Sequence, residues 1–162
     1  MNRKILLIVL ALAVVLLATP YVGMAHATRP TPVSGDIELV SAFPLSMEPV
    51  GKSDNQIWIM ALTEHWTGGI DAVGTTEATW MWHKFGGSEI ILNIHEKLSF
   101  QATMILGDGK SGTFTLELNI EAPNGHWTIL SGTGDLANLR GHGELSLATQ
   151  PYSYTGEVHF DP

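Results

Sequence analysis

Residues 126–144 read HWTILSGTGDLANLRGHGE, and the fold turns on how this stretch is interpreted. Trp127, Thr128 and Ile129 have the composition of a short strand. The chain then meets Gly132 and Gly134, the residue type that supplies the positive φ angles of a tight corner. Asp135 to Leu139 has the length of one helical turn, with Asp135 placed to cap it. Leu136 and Leu139, three apart, give that turn a single apolar side to bury. Arg140-Gly141 leads into the next strand. An Asp and an Arg flanking the turn read as a pinned corner that closes one end of a β-structure, with Arg140 held against a buried or partly buried partner.

Working outward, the chain alternates with the period of strands and never with that of a helix. Upstream, Phe114, Leu116, Leu118 and Ile120 alternate with Thr113, Thr115, Glu117 and Asn119. Glu89 to Met104 alternates over its whole length, with Ile90, Leu92, Ile94, Leu98, Phe100, Ala102 and Met104 on one face. Thr76, Ala78, Trp80 and Trp82 share a face of the segment before it. Downstream, Leu145 and Leu147 form one short strand, and Tyr152, Tyr154, Val158 and Phe160 line the last. Val33 to Phe43 reads as the first strand, with Ile37, Leu39 and Phe43 on one side, and Pro44 to Asn55 as a loop. Tight turns at Gly86-Gly87, Gly107-Asp108-Gly109 and Pro123-Asn124-Gly125 join the strands. About eight short strands so connected predict an all-β fold, a single antiparallel barrel in preference to a sandwich.

The run GTFTLELNIEAPNGHWTILSGTGDLANLRGHGELS resembles the signature half of the bacterial domain of unknown function 3224 family. The matching positions are Gly112, Phe114, Trp127, Thr128, Gly132, Thr133, Gly134, Asp135, Leu136, Leu139, Arg140 and Gly141. A weaker likeness reaches back to about Ile57 and takes in Trp66-Thr67-Gly68 and His95-Glu96. The resemblance implies the small antiparallel barrel of allene oxide cyclases, in the lipocalin-like neighbourhood. The family itself has no assigned activity.

At the N-terminus, Asn2-Arg3-Lys4 precedes the unbroken apolar run Ile5 to Ala18, and Ala25-His26-Ala27 is an A-x-A site. Residues 1–27 read as a secretory signal peptide, and an uncleaved membrane anchor is the alternative. Residues 28–32, TRPTP, read as an extended tether and 33–162 as the barrel domain. The expected location is secreted or extracytoplasmic, or membrane-held if the segment stays. Loss of Arg3 and Lys4 takes the formal charge from −8 to −10, which argues against nucleic acid and anionic membrane surfaces as partners. There is no cysteine, so neither disulfide nor thiol chemistry is available.

No nucleophile elbow, Walker loop or dinucleotide fingerprint occurs, and Gly132-Thr133-Gly134-Asp135 lacks the lysine and the strand-helix setting of a phosphate loop. No cofactor is implied. Of seven histidines, His65, His83, His95, His126 and His142 invite a metal reading, but none has HxH or HExxH spacing. The alternation turns His95, His126 and His159 outward, and no metal site is expected.

The carboxylates are more informative. Glu96 falls in phase with Ile94 and Leu98, and Glu64 with Leu62 and Trp66, so both point inward. An inward carboxylate is costly unless it is paired or hydrogen-bonded. Pairing with Arg140, or hydrogen bonds to Tyr152 or Tyr154, is the structural explanation. The functional one makes Glu96 and Glu64 polar anchors of a ligand pocket walled by Trp58, Trp66, Trp80, Trp82 and Trp127, with Arg140 a further ligand-binding residue. Three functions fit: a binding module for a small apolar ligand, an isomerase or cyclase using Glu96 as the allene oxide cyclase resemblance implies, or a structural, oligomer-forming barrel with a filled interior.

Overall fold

The computed structural model describes residues 29–52, 54–85 and 88–162, so the expected signal segment lies outside the described residues. The strands are β1 (Thr31–Pro49), β2 (Asn55–Gly68), β3 (Ile70–Phe85), β4 (Ser88–Ile105), β5 (Gly112–Glu121), β6 (Asn124–Gly132), β7 (Leu139–Ser146) and β8 (Tyr152–Phe160). Each pairs antiparallel with the next, and β1 pairs with β8 to close an eight-stranded barrel. The only helical element among the described residues is a 3-10 turn, Gly134–Leu136.

The wall is uneven in height. Strands β1 to β4 have 19, 14, 16 and 18 residues, whereas β5 to β8 have 10, 9, 8 and 9. β8 covers β1 only from Thr31 to Ile37, and β5 covers β4 only from Asn93 to Ala102. The long strands therefore stand clear of the short ones at the end that carries the β1–β2, β3–β4, β5–β6 and β7–β8 connections.

The opposite end is filled. Trp66, Ile70, Phe100, Phe114, Leu116, Trp127, Leu136, Leu139, Tyr154 and Val158 are all essentially inaccessible there. Aromatic rings lock together: Trp66 meets Tyr154 at 4.6 Å and Trp127 edge-on at 6.1 Å, and Phe100 stacks on Phe114 at 5.2 Å between centroids. Tyr154 also ties the β2–β3 turn, its hydroxyl donating to the Thr67 carbonyl at 3.1 Å and accepting from the Ile70 N–H at 2.9 Å. Burial pushes that phenol up to about 12.

The corner of residues 132–139 is the lid of this filled end. Leu136 and Leu139 are fully buried, as their spacing predicts. Asp135 does not cap its own turn: the N-cap residue is Thr133, without a side-chain cap bond, and the Asp135 carboxylate accepts the Ser111 N–H at 3.3 Å. The Thr133 N–H donates to the Thr113 carbonyl at 2.8 Å, so the corner is hooked to the start of β5.

Two boundaries differ from the sequence reading. Thr31 and Pro32, expected in the tether, are already in the ladder opposite Val158 and Glu157. Pro44 to Pro49, expected as a loop, extends β1 along β2. The extension is made possible by register shifts between Leu39 and Ser41 and between Pro44 and Ser46, each of which places one extra residue in β1. The first of these reverses the alternation. Ile37 is buried and Leu39 half-buried, but Phe43 is 64% exposed instead of sharing their side.

Candidate functional site

Glu64 and Glu96 both point into the barrel, as their phase requires, and retain only 8% and 2% of their exposure. They are the buried charged residues of the described chain. Glu64 lies on β2 two residues before Trp66, and this spacing puts both on the inner face. The Trp66 indole N–H donates to the Glu64 carboxylate at 2.9 Å. Glu96 lies at mid-height on β4, and the Trp80 indole N–H, from β3, donates to its Oε1 at 3.1 Å. Its other oxygen, Oε2, is buried with no hydrogen-bond partner among the described residues.

The electrostatics follow from this setting. Burial pushes Glu96 up to about 8, the neighbouring Glu64 charge adds to the effect, and the Trp80 hydrogen bond opposes it. Burial likewise pushes Glu64 up to about 7 against the Trp66 hydrogen bond. The pair thus holds protons at neutral pH that ordinary glutamates would have released.

These carboxyls border a cavity of about 50 Å³ in the open half of the barrel. Ile37, Leu39, Ile94, Leu118, Ile120 and Leu145 line it together with Trp80, and half-buried Ile91, Leu147 and Tyr152 surround it on the side of the β7–β8 connection. Above it, Trp58 and Trp82 approach to 4.9 Å, and Trp80 and Trp82 to 5.9 Å. Trp58 donates to the Gln56 side chain at 3.0 Å, while the Trp82 N–H is buried with no hydrogen-bond partner among the described residues.

Several expected site residues lie elsewhere. Arg140 does not reach the interior. It leaves β7 on the outer side, where it meets Asp161 at 3.1 Å and donates to the Leu139 carbonyl at 2.8 Å. Neither tyrosine serves the carboxyls, since Tyr154 ties the β2–β3 turn and Tyr152 accepts from Gln150 at 3.2 Å. Trp127 belongs to the filled half, its N–H bonded to the Thr155 carbonyl at 3.1 Å, and Trp66 touches the site only through Glu64. The inward carboxyl pair and Trp80 were legible from phase. The indole N–H partners were missed, although a Glu-x-Trp spacing on one strand is a signal for the first of them.

The histidines face outward and engage one acid each: His65 with Asp71, His95 with Glu117, His142 with Glu157 and His159 with Asp161, at 3.2–3.7 Å. His83 contacts Asn55. Among the described residues no three His, Asp or Glu converge on a point that would hold a metal ion. A shallow groove of about 970 Å³ crosses the outer face of β4 to β8, with Asn93, His95, Asn119, His126 and Glu144 along it, but no buried unsatisfied group points into it.

A closed antiparallel barrel with one filled half and one carboxyl-lined half defines the structural class. The chain belongs to the family described as "Protein of unknown function (DUF3224)", whose profile matches residues 39–157. A crystal structure of a protein with unknown function from that family, from Shewanella oneidensis MR-1, superposes with a TM-score of 0.66 at 21% identity, covering 83% of this chain and 99% of the other. At that identity the likeness establishes the fold. The barrel is also consistent with the allene oxide cyclase architecture expected from the signature. No curated protein matches the chain.

Proposed function

We propose that the protein is a secreted or surface-held binding module for a small apolar ligand, taken into the open half of the barrel. The observation that carries this reading is the cavity beside Glu96, whose buried Oε2 has no hydrogen-bond partner among the described residues, in a wall that is apolar apart from the two carboxyls and Tyr152. A barrel serving structure alone would gain by filling that space and replacing the carboxyls with apolar side chains. Pockets for drug-sized ligands measure about 300–1,000 Å³, so a cavity of about 50 Å³ accepts the end of a ligand while the remainder extends out past Ile91, Leu147 and Tyr152. A panel of alkyl and aryl compounds, titrated by calorimetry, tests it. Saturable heats abolished by Leu118→Trp, which fills the cavity, are expected; heats indifferent to that change would reject the site.

A second reading, an isomerase or cyclase, draws on the raised pKa of Glu96, which leaves it a proton to place on a bound substrate at neutral pH. Turnover of a bound compound, lost in Glu96→Gln, separates it from simple binding. Export is the expected route to the site of action. Protein isolated from its native host should have the intact mass of a chain beginning at Thr28, and retention of residues 1–27 would replace secretion with anchoring.

A further inference from the structure

We propose that the cavity recognises a small primary amine, with its ammonium group seated between Glu64 and Glu96 against Trp80 and its apolar part directed out past Ile91, Leu147 and Tyr152. This rests on the ligand-binding reading above and names the chemistry of the ligand's polar end. The described lining offers hydrogen-bond acceptors: two carboxyls face the cavity, and among the described residues no Lys, Arg or His lines it. Each carboxyl receives a single indole N–H, from Trp66 at 2.9 Å and from Trp80 at 3.1 Å. Glu96 Oε2 is left without any donor, although the residue is only 2% exposed.

An ammonium supplies what is missing. It carries three N–H donors and a positive charge, enough to satisfy Oε2 and to offset one carboxylate charge of the pair. A carboxylate ligand would place a third acidic group beside two carboxyls with no cation among the described lining residues to offset it, and a neutral alcohol brings one donor and no charge. The size of the space sets a further limit: about 50 Å³ admits a primary ammonium and a few carbons but not a bulky quaternary head. The formal charge of −8 draws cations towards the protein before they reach the mouth. The titratable groups facing the seat are Glu64 from β2, Glu96 from β4 and Tyr152 from β8. The lining residues on β3, β5 and β7 are Trp80, Leu118, Ile120 and Leu145, which do not titrate. Seating an ammonium there favours the ionised carboxyls, so binding releases protons to solvent.

The test titrates the folded protein by calorimetry at neutral pH with n-hexylamine, hexan-1-ol and hexanoate, in two buffers of different ionisation enthalpy. Hexylamine is expected to bind at least ~10-fold tighter than hexanol, the scale of one charge-assisted hydrogen bond. Hexanoate should not bind, and amine binding should release about one proton. Glu96→Gln should lower hexylamine affinity by roughly 10-fold and leave hexanol within about threefold. Glu64→Gln provides the same comparison if that variant does not fold, circular dichroism being the check. Hexanol binding as tightly as hexylamine, or no proton release, would overturn the amine assignment and leave the pocket standing. Failure of every probe to bind would overturn both the assignment and the ligand-binding reading.

Discussion

Arg140 leaves the barrel wall on its outer side and meets Asp161 where both side chains are more than a third exposed. An ion pair in that much solvent contributes little, because water screens it and two long side chains must be ordered. Arg140→Ala should therefore cost less than about 1 kcal/mol in urea denaturation, not the several kcal/mol of a buried partner. A loss beyond about 2 kcal/mol would mean that the arginine holds the corner after all. Alternation alone placed Glu64 and Glu96 indoors, because a strand's period of two leaves a polar residue no local escape. Their partners were legible only in part. Trp66 shares a face with Glu64 by spacing, but Trp80 reaches Glu96 through the β3–β4 register, which contains a shift between Met81 and Trp82. Register across strands is a tertiary property, and nothing local in either segment encodes that shift.

At the scale of elements, the short strands were readable and the first long one was not. β5 to β8 alternate over most of their length, the one interruption being the register shift of β6 at Leu130, so composition and period agree. β1 contains two bulges and, in its second half, Pro44 and Pro49, which imitate a loop in sequence while the backbone stays extended along β2. Beyond Ile37 that strand has no second neighbour among the described residues, and Val40, Phe43, Leu45 and Met47 are each more than half exposed. Hydrogen exchange should find amides of Glu38 to Pro49 far less protected than those of Gly112 to Glu121, which has a strand on either side. Equal protection would indicate that something covers the free edge of β1. A second element-level feature lay hidden in the Gly141-x-Gly143 pair. A Cβ on Gly143 would stand 2.7 Å from both the Trp127 ring and the Gly156 Cα, so the glycines of β7 and β8 are the bed on which Trp127 lies. Gly143→Ala should destabilise by roughly 2–3 kcal/mol, because the contact is with backbone and a fully buried ring, neither of which can yield cheaply. A denaturation midpoint unchanged by that substitution would show that the ring has room to shift.

For the molecule as a whole, the division into a filled half and a carboxyl-lined half has a consequence for stability against pH. The unfolded chain gives Glu64 and Glu96 their ordinary value of 4.5, whereas the folded barrel raises them to about 7 and about 8. Between those limits the folded state binds more protons than the unfolded one, so unfolding free energy must fall as pH rises. The sign is opposite to that of a salt-bridged glutamate, whose contribution is lost as pH falls. The decline should begin near pH 4.5, run through neutrality and level off above about 8, and it should amount to a few kcal/mol given the burial of both groups. Urea midpoints measured at about pH 5 and about pH 8.5 should therefore differ in favour of the lower pH. Glu96→Gln should raise stability at the higher pH and flatten the profile, since an amide cannot ionise and the repulsion on Glu64 disappears with the charge. The double variant with Glu64→Gln should be nearly level across the range. Stability that held constant or rose between the two pH values in the unmodified protein would mean that both carboxyls ionise as they do in water. The dry, acceptor-rich interior would then be wrong as a description of the native barrel.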